Sequence, residues 1–539
     1  MKEDSAKGSG QTSNFKFEIS EGEPRCVKED SAKGSGQTAS GDMDAESFRK
    51  YGYQVIDWIA DYLSHLERYP VLAQVEPGRI KNELPCAPPE RGESMDAILK
   101  DIDEIIVPGI THWNHHSFFA YFANTGSAPG ILGELLSAAF NTNGMLWKTS
   151  PAATELEEVA LDWLRQLLGL PPEFFGIIYD TASTSTLHAL AAAREATDLK
   201  IREQGMASRS DLPRLRLYIS EHAHSAADKA AILIGIGQAG VRKIASDEQF
   251  RMKASALAEA VEQDINEGWR PLCVIATVGT TSTASIDPVP EIADICAEHN
   301  IWLHVDAAYA GVAAILPEMR YIFDGCDRAD SLVLNPHKWL FTPMDLSVFY
   351  CRKPEILRRA FSLVPEFLRT AEDSQVINYM DYGIPLGRRF RALKLWMIIR
   401  YFGYDGLAAR IREHIRIARQ FADWIDGDED FQRLAPTYFS LVCFRACPRD
   451  LAEKLKSAES GEGDRIESYL DGLNEALINA VNATGQIFLS HTRLNGRFTV
   501  RLAIGNIRTT EEHVRRAWEL LRQQALRLDS ERRIIGRKS

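Results

Sequence analysis

The chain of 539 residues has no run near eighteen uninterrupted apolar residues, so no helix is expected to span a bilayer. It has no surplus of positive charge. The formal net charge is −13, which argues against a nucleic-acid or anionic-membrane partner, since both need a basic surface. The first residues, MKEDSAKGSGQT, lack the apolar core of a secretory signal, and their mixed charges fit a mitochondrial leader poorly. Eight cysteines show no CxxC pair and no zinc-like spacing, so neither a metal site nor a disulfide framework is expected. Core or surface thiols point to a reducing compartment, the cytosol.

What is present reads as a soluble protein of two or three domains. KEDSAKGSGQT occurs at 2–12 and again, letter for letter, at 28–38. It carries no hydrophobic pattern, so residues 1–42 read as a disordered tail rather than a repeat architecture. Apolar residues at helical spacing (Phe48, Tyr51, Val55, Trp58, Tyr62, Leu66) predict a helix ended by Pro70. SMDAILKDIDEIIVPG predicts a second, and the two suggest a helical arm over 43–129 that packs on another surface. From 130 to 404, short β-branched runs (FGIIYD, RLYIS, LCVIATV, IWLHVDA, SLVLN) alternate with helix-period segments. That alternation predicts an α/β domain of parallel strands covered by helices. A helix in GLAARIREHIRIARQFADWID, strands in FSLVCFR, GQIFLSHT and FTVRLAI, and a last helix predict a smaller α+β domain over 405–528. A charged tail follows at 529–539.

One lysine stands out. Lys338 lies in LVLNPHKWLF, an otherwise apolar run, although lysine is strongly hydrated and rarely buried without a partner. Asp306 ends the strand in IWLHVDAAYAG, thirty-two residues earlier. Groups at the carboxyl ends of strands in an α/β sheet share one crevice. Alone, the two would read as an ion pair. TASTSTLHAL at 181–190 is a hydroxyl-rich loop that opens a helix and can aim backbone N–H groups at an anion, although Ser/Thr caps are common. VGTTSTASIDPV at 278–289 is a second such loop. His224, in EHAHSA, follows a strand; a lone histidine there is more often structural. Jointly these fit pyridoxal phosphate, which needs a lysine for its aldehyde, an acid for its ring nitrogen, an anion cradle and a flat group over its ring.

HVDAAYAG and NPHKWL, with SPAATELE at 150–157 and GRRFRALKLW at 387–396, resemble the aromatic-L-amino-acid decarboxylase family, group II of the pyridoxal-phosphate decarboxylases. The likeness runs from about 44 to 525. It implies the aspartate aminotransferase-like fold type I and a homodimer with shared active sites. By position, it implies that Lys338 carries the cofactor, Asp306 pairs with the ring nitrogen, Ala308 packs on one ring face and His224 stacks on the other. Ala182, Ser183, Asn335 and His337 are implied to hold the phosphate, with Thr281 near the cofactor hydroxyl or the substrate carboxylate. The aromatic stretch around Trp113, Tyr121 and Phe122 is implied to line the pocket; read from the residues alone, it would more often be core. The loop YDTASTST departs from the Gly-rich approach usual in relatives but keeps small residues. In plant members of the family a glycine at the position of Gly387 goes with indole substrates and a serine with phenolic ones, so the resemblance leans the expected substrate towards tryptophan or a broad range of aromatic L-amino acids. Such a change moves selectivity by only about 1–3 kcal/mol.

PEFL at 365–368 departs from the family's usual PEYL on a loop that closes over the partner's site. The tyrosine there is the proposed acid that protonates the substrate α-carbon after CO2 leaves. Phe367 keeps the ring and removes the donor. Relatives with this change behave as aromatic aldehyde synthases, consuming O2 and releasing aldehyde, CO2, NH3 and H2O2. The alternative is a plain decarboxylase, with water, His224, Tyr379 or Tyr382 supplying the proton. An inactivating substitution is a third reading. An aminotransferase places Asp and Lys similarly but usually needs an arginine for a second carboxylate. Arg501, in FTVRLAI, could suggest that, whereas the resemblance implies a structural or loop-supporting role.

Overall fold

The computed structural model describes residues 41–363, 372–373 and 375–536. Most of the expected N-terminal tail, and Phe367, lie outside the described residues. Two compact units divide the chain. One takes in the described residues up to Ile59 together with Ala73–Ile110; the other takes in Ala60–Leu72 and everything from Thr111.

Asp44 caps the helix Ala45–Ser64, its Oδ1 accepting the amides of Glu46 at 3.0 Å and Ser47 at 2.9 Å. Tyr51 and Trp58 of that helix donate to Asp96 and Asp103. The helix buries none of its residues; Phe48 and Tyr53 are about two-thirds exposed (65% and 66%). The second expected helix is regular only over Met95–Asp101, capped by Ser94, and then widens into a π turn at Ile102–Ile106.

The larger unit is built on a seven-stranded sheet. Its strands are β1 (Phe175–Tyr179), β2 (Arg214–Ser220), β3 (Val241–Ile244), β4 (Trp269–Thr277), β5 (Trp302–Asp306), β6 (Ser331–Leu334) and β7 (Ser347–Cys351), in the order β1-β7-β6-β5-β4-β2-β3. The all-parallel expectation needs correction at one edge. β3, β2, β4, β5 and β6 run parallel, but β7 pairs antiparallel with both β6 and β1. Only residues 335–346 separate β6 from β7, and that span makes the turn carrying Lys338 instead of a crossover helix, so the chain returns antiparallel. Strands buried on both faces explain the continuous apolar runs.

A second sheet, all antiparallel, has β8 (Phe431–Arg433), β9 (Leu441–Ala446), β10 (Ser490–Leu494) and β11 (Arg497–Ala503) in the order β10-β11-β9-β8. The strand expected in GQIFLSHT starts only at Ser490. The residues before it pair elsewhere: Phe119 donates its amide to the Phe488 carbonyl at 2.9 Å, and Phe488 to that of Ser117. The helical stretch expected after 405 begins earlier, within Ala392–Asp426, and breaks at Gly403 with φ of +60°. The last helix, Glu511–Gly536, continues into the expected tail as far as Gly536. Pairs Arg527–Glu531 and Arg533–Asp529, four residues apart, support that extension, and Arg533 also reaches Asp450.

Candidate active site

β5 ends on Asp306, β6 ends beside Asn335, and the short helix Pro336–Trp339 places Lys338 one turn beyond. Backbone bonds tie these ends together. Ala307 N donates to Val333 O at 2.9 Å, Asn335 N to Ala308 O at 3.0 Å, and Lys338 N to Asn335 O at 2.9 Å. Lys338 makes no ion pair among the described residues. Burial pushes its pKa below the usual lysine value, with Asp306 pulling the other way. Asp306 Oδ1 accepts the Ala308 amide at 3.0 Å. His224 lies close enough to feel both charges. Burial lowers its pKa, Asp306 raises it, and Lys338 and Lys229 lower it. Its Nδ1 accepts the Ala226 amide at 3.1 Å, so the ring proton sits on Nε2.

β1 leads through Asp180 into the helix Ala182–Ala196, whose first-turn amides at Ala182 and Ser183 are the free donors of a helix start. Two of the motifs quoted above converge under it. Glu157, in SPAATELE, accepts the Ile178 amide at 2.9 Å and the Arg388 guanidinium at 2.6 Å, and Arg388 also donates to Ile178 O. Thus β1, and the helix it launches, is fixed from both sides by a buried ion pair. His337 Nδ1 accepts the Leu346 amide at 3.0 Å, which leaves Nε2–H as the donor of a ring that burial keeps neutral (pKa about 4).

The third wall is aromatic. Phe122 stacks on Tyr309 at 3.7 Å and lies 5.6 Å from Lys338 Nζ; Tyr309 stacks in turn on Trp339. Trp113 stacks on Phe118 and Tyr121. Phe122 is inward and buried, whereas Tyr121, with φ of +52°, is exposed. The loop bearing Thr281 is held by buried Arg501, which donates to the carbonyls of Thr281 (2.7 Å) and Ser282 (3.0 Å) and to Ser490 Oγ, and lies over Phe122. Gly279, with φ of +94°, lets that loop close on Ala310: a Cβ there would come within 2.5 Å of the Ala310 Cβ.

The structure therefore groups Lys338, Asp306, Ala308, His224, Asn335 and Phe122. Gly387 stands apart on an exposed segment, where a Cβ would meet only Asn143 Nδ2 at 3.7 Å. Sequence reading missed Tyr309, which packs Phe122 from behind, and the Glu157–Arg388 join. Tyr309 lies in the same HVDAAYAG run as Asp306, and both partners of the join lie in motifs already singled out.

These residues fit pyridoxal phosphate. A cation unpaired among the described residues faces an acid at the strand ends, a helix start supplies an anion cradle, and the buried Oδ1 of Asn335 has no partner among the described residues. The comparisons decide the family. Residues 77–447 match the pyridoxal-dependent decarboxylase conserved domain. The chain belongs to the pyridoxal-dependent decarboxylases. It is 41% identical over 496 residues to tryptophan decarboxylase 2 of Oryza sativa subsp. japonica, spanning 90% of this chain and 96% of that one. It is also 41% identical to phenylacetaldehyde synthase of Arabidopsis thaliana, with the same two shares covered. A crystal structure of Oryza sativa TDC with PLP and tryptamine superposes with a TM-score of 0.85 at 38% identity, covering 91% of this chain and all of that one. The protein is thus a pyridoxal-phosphate enzyme of fold type I within the aromatic amino acid decarboxylase and aldehyde synthase relatives. Among the described residues no helix is long and apolar enough to cross a membrane.

Proposed function

We propose that this enzyme decarboxylates aromatic L-amino acids and, because residue 367 is phenylalanine, couples that step to oxidative deamination. The observation carrying the first half is Lys338 beside Asp306 and His224 under an aromatic wall. When bound, pyridoxal phosphate would supply an aldehyde for the substrate amine and an electron sink for the pair freed as the carboxylate leaves. The chain does the rest. Lys338, its ammonium disfavoured by burial, supplies the amine that holds the cofactor. Asp306 would hold a proton at the ring nitrogen. His337 Nε2–H, the Asn335 side-chain amide N–H and the backbone amides of Ala182 and Ser183 would hold the phosphate, His224 and Ala308 would contact the ring, and Phe122 would exclude water. Trp113 and Tyr121 line the substrate side.

A phenol at 367 would return a proton to the substrate α-carbon; a phenyl ring cannot. O2 then takes the electrons, and amino acid, O2 and water give aldehyde, CO2, NH3 and H2O2. A second reading, the plain decarboxylase releasing the amine, is favoured by the relatives most often named decarboxylases. A second copy of the chain completes the site in either case. The helix Ala128–Phe140 leaves Leu132, Leu135, Leu136 and Phe140 exposed at 42–60%, an apolar face suited to a homodimer.

The deciding experiment incubates the holoenzyme separately with tryptophan, tyrosine, phenylalanine and dopa and measures CO2, amine, aldehyde, H2O2 and O2 uptake. Aldehyde with equimolar O2 uptake is expected, and Phe367→Tyr should turn the product to amine. Amine from the parent enzyme without O2 uptake would refute the oxidative half.

A further inference from the structure

Among the described residues, the side chains of His304 and Thr277 each bury a polar atom without a partner, Nε2 and Oγ1 respectively. Both flank Asp306. His304 stands two residues before it on β5, hence on the same sheet face. Thr277 is its register partner on β4, and side chains at such positions lie within mutual reach across neighbouring strands. Neither residue is loose. Asp287 accepts the Thr277 amide at 2.8 Å and donates its own amide to the Thr277 carbonyl at 2.9 Å, leaving only the hydroxyl free.

Trp302 Nε1, which only donates, gives its hydrogen to Ser331 Oγ at 2.9 Å, and that hydroxyl stands 2.9 Å from His304 Nδ1. Nδ1 is thus occupied, and Nε2 is the ring nitrogen left over. Burial keeps the ring neutral, with a pKa of about 4. Two polar side-chain atoms without partners among the described residues are thus buried beside one carboxylate, of which Oδ1 already takes the Ala308 amide.

We propose that His304 and Thr277 are positioning residues for Asp306, donating through Nε2–H and Oγ–H to its carboxylate once the cofactor ring is seated. So bonded, the carboxylate would be held turned to the ring nitrogen. This rests on the reading that Asp306 meets the ring nitrogen. Trp302 and Ser331 extend the chain of bonds by occupying the ring's other nitrogen.

The test compares His304→Leu, His304→Gln, Thr277→Val and the control Asp306→Asn. For each, pyridoxal phosphate is titrated into apo-enzyme by fluorescence, and the bound cofactor's absorbance is followed against pH, with circular dichroism reporting the fold. His304→Leu and Thr277→Val should each weaken cofactor binding about tenfold and lower the pH at which the bound chromophore changes colour. His304→Gln, which keeps a donor, should stay within about threefold. Should His304→Leu fail to fold, Thr277→Val and His304→Gln carry the comparison. Unchanged affinity and an unchanged absorbance profile in folded Thr277→Val and His304→Leu, or in folded Thr277→Val alone, overturn the inference. If Asp306→Asn is also silent, the reading of Asp306 itself falls; if Asp306→Asn weakens binding and its neighbours do not, only the positioning role falls.

Discussion

At the scale of single residues, the proposed chemistry depends on an amine whose charged form burial disfavours. Lys338 has hydrophobic walls, a stacked aromatic at 5.6 Å and an acid nearby. Burial costs the charged form more than the neutral one. Lys338→Met preserves length and apolar packing while removing the amine. It should fold with an unchanged melting temperature, show no turnover, and leave no cofactor fixed to the chain after borohydride; retained turnover would exclude the assignment. Phe367 is the other residue on which the proposed product depends, since a phenyl ring has no proton to give. His304 was harder to see. Its place two residues before Asp306 was available in IWLHVDAAYAG, but the emptiness of its outer nitrogen is a property of packing.

At the scale of elements, close approaches between helices and loops hold the site's frame. Gly133, on Ala128–Phe140, lies against the Lys394 backbone: a Cβ would come within 2.7 Å of the Lys394 Cα. Lys394 is 2% exposed, and its ammonium is taken up by Glu134 and by the carbonyls of Pro343 (2.9 Å) and Asp345 (2.8 Å). That bond set braces residues 343–346, whose Leu346 amide orients His337. Gly133→Ala must push two backbones apart. It should destabilise the fold by about 1–3 kcal/mol, read as a lower denaturant midpoint, with a weakened cofactor affinity alongside. The alternation of strands and helices was legible because its periods differ. The direction of β7 was not, because only the folded sheet shows that residues 335–346 turn back without a crossover helix.

At the scale of the whole molecule, histidines buried in neutral form link stability to pH. His188, His304 and His337 have pKa values near 4, and His414 near 3, each pushed down chiefly by burial. Between about 6.5, the unfolded value, and about 4, the unfolded chain binds protons that the native one does not. Native stability is therefore full above pH 6.5 and falls on acidification, by ~1.4 kcal/mol per pH unit for each ring where only the unfolded state is protonated. Melting temperatures measured from pH 7.5 to 5 should decline, and a flat profile would contradict the buried neutral rings. Assembly is testable at the same scale. Leu135→Asp, on a face half exposed in the single chain (51%), should yield a folded monomer by sedimentation with little activity. A dimer of normal activity would place the interface elsewhere.

The amino-acid order by itself determined the cofactor chemistry, because an isolated lysine, an acid at a strand end and small hydroxyl loops have few joint explanations, and four long motifs pointed to one family. It also determined the α/β class, since apolar period follows backbone geometry. Only the tertiary structure decided which groups meet. Glu157 and Arg388 are 231 residues apart, and Arg501 braces Thr281 across 220. It also revealed the polar atoms flanking Asp306 that have no partner among the described residues. Hydrogen-bond satisfaction depends on neighbours in space, and the chain order specifies those neighbours only through the folded sheet.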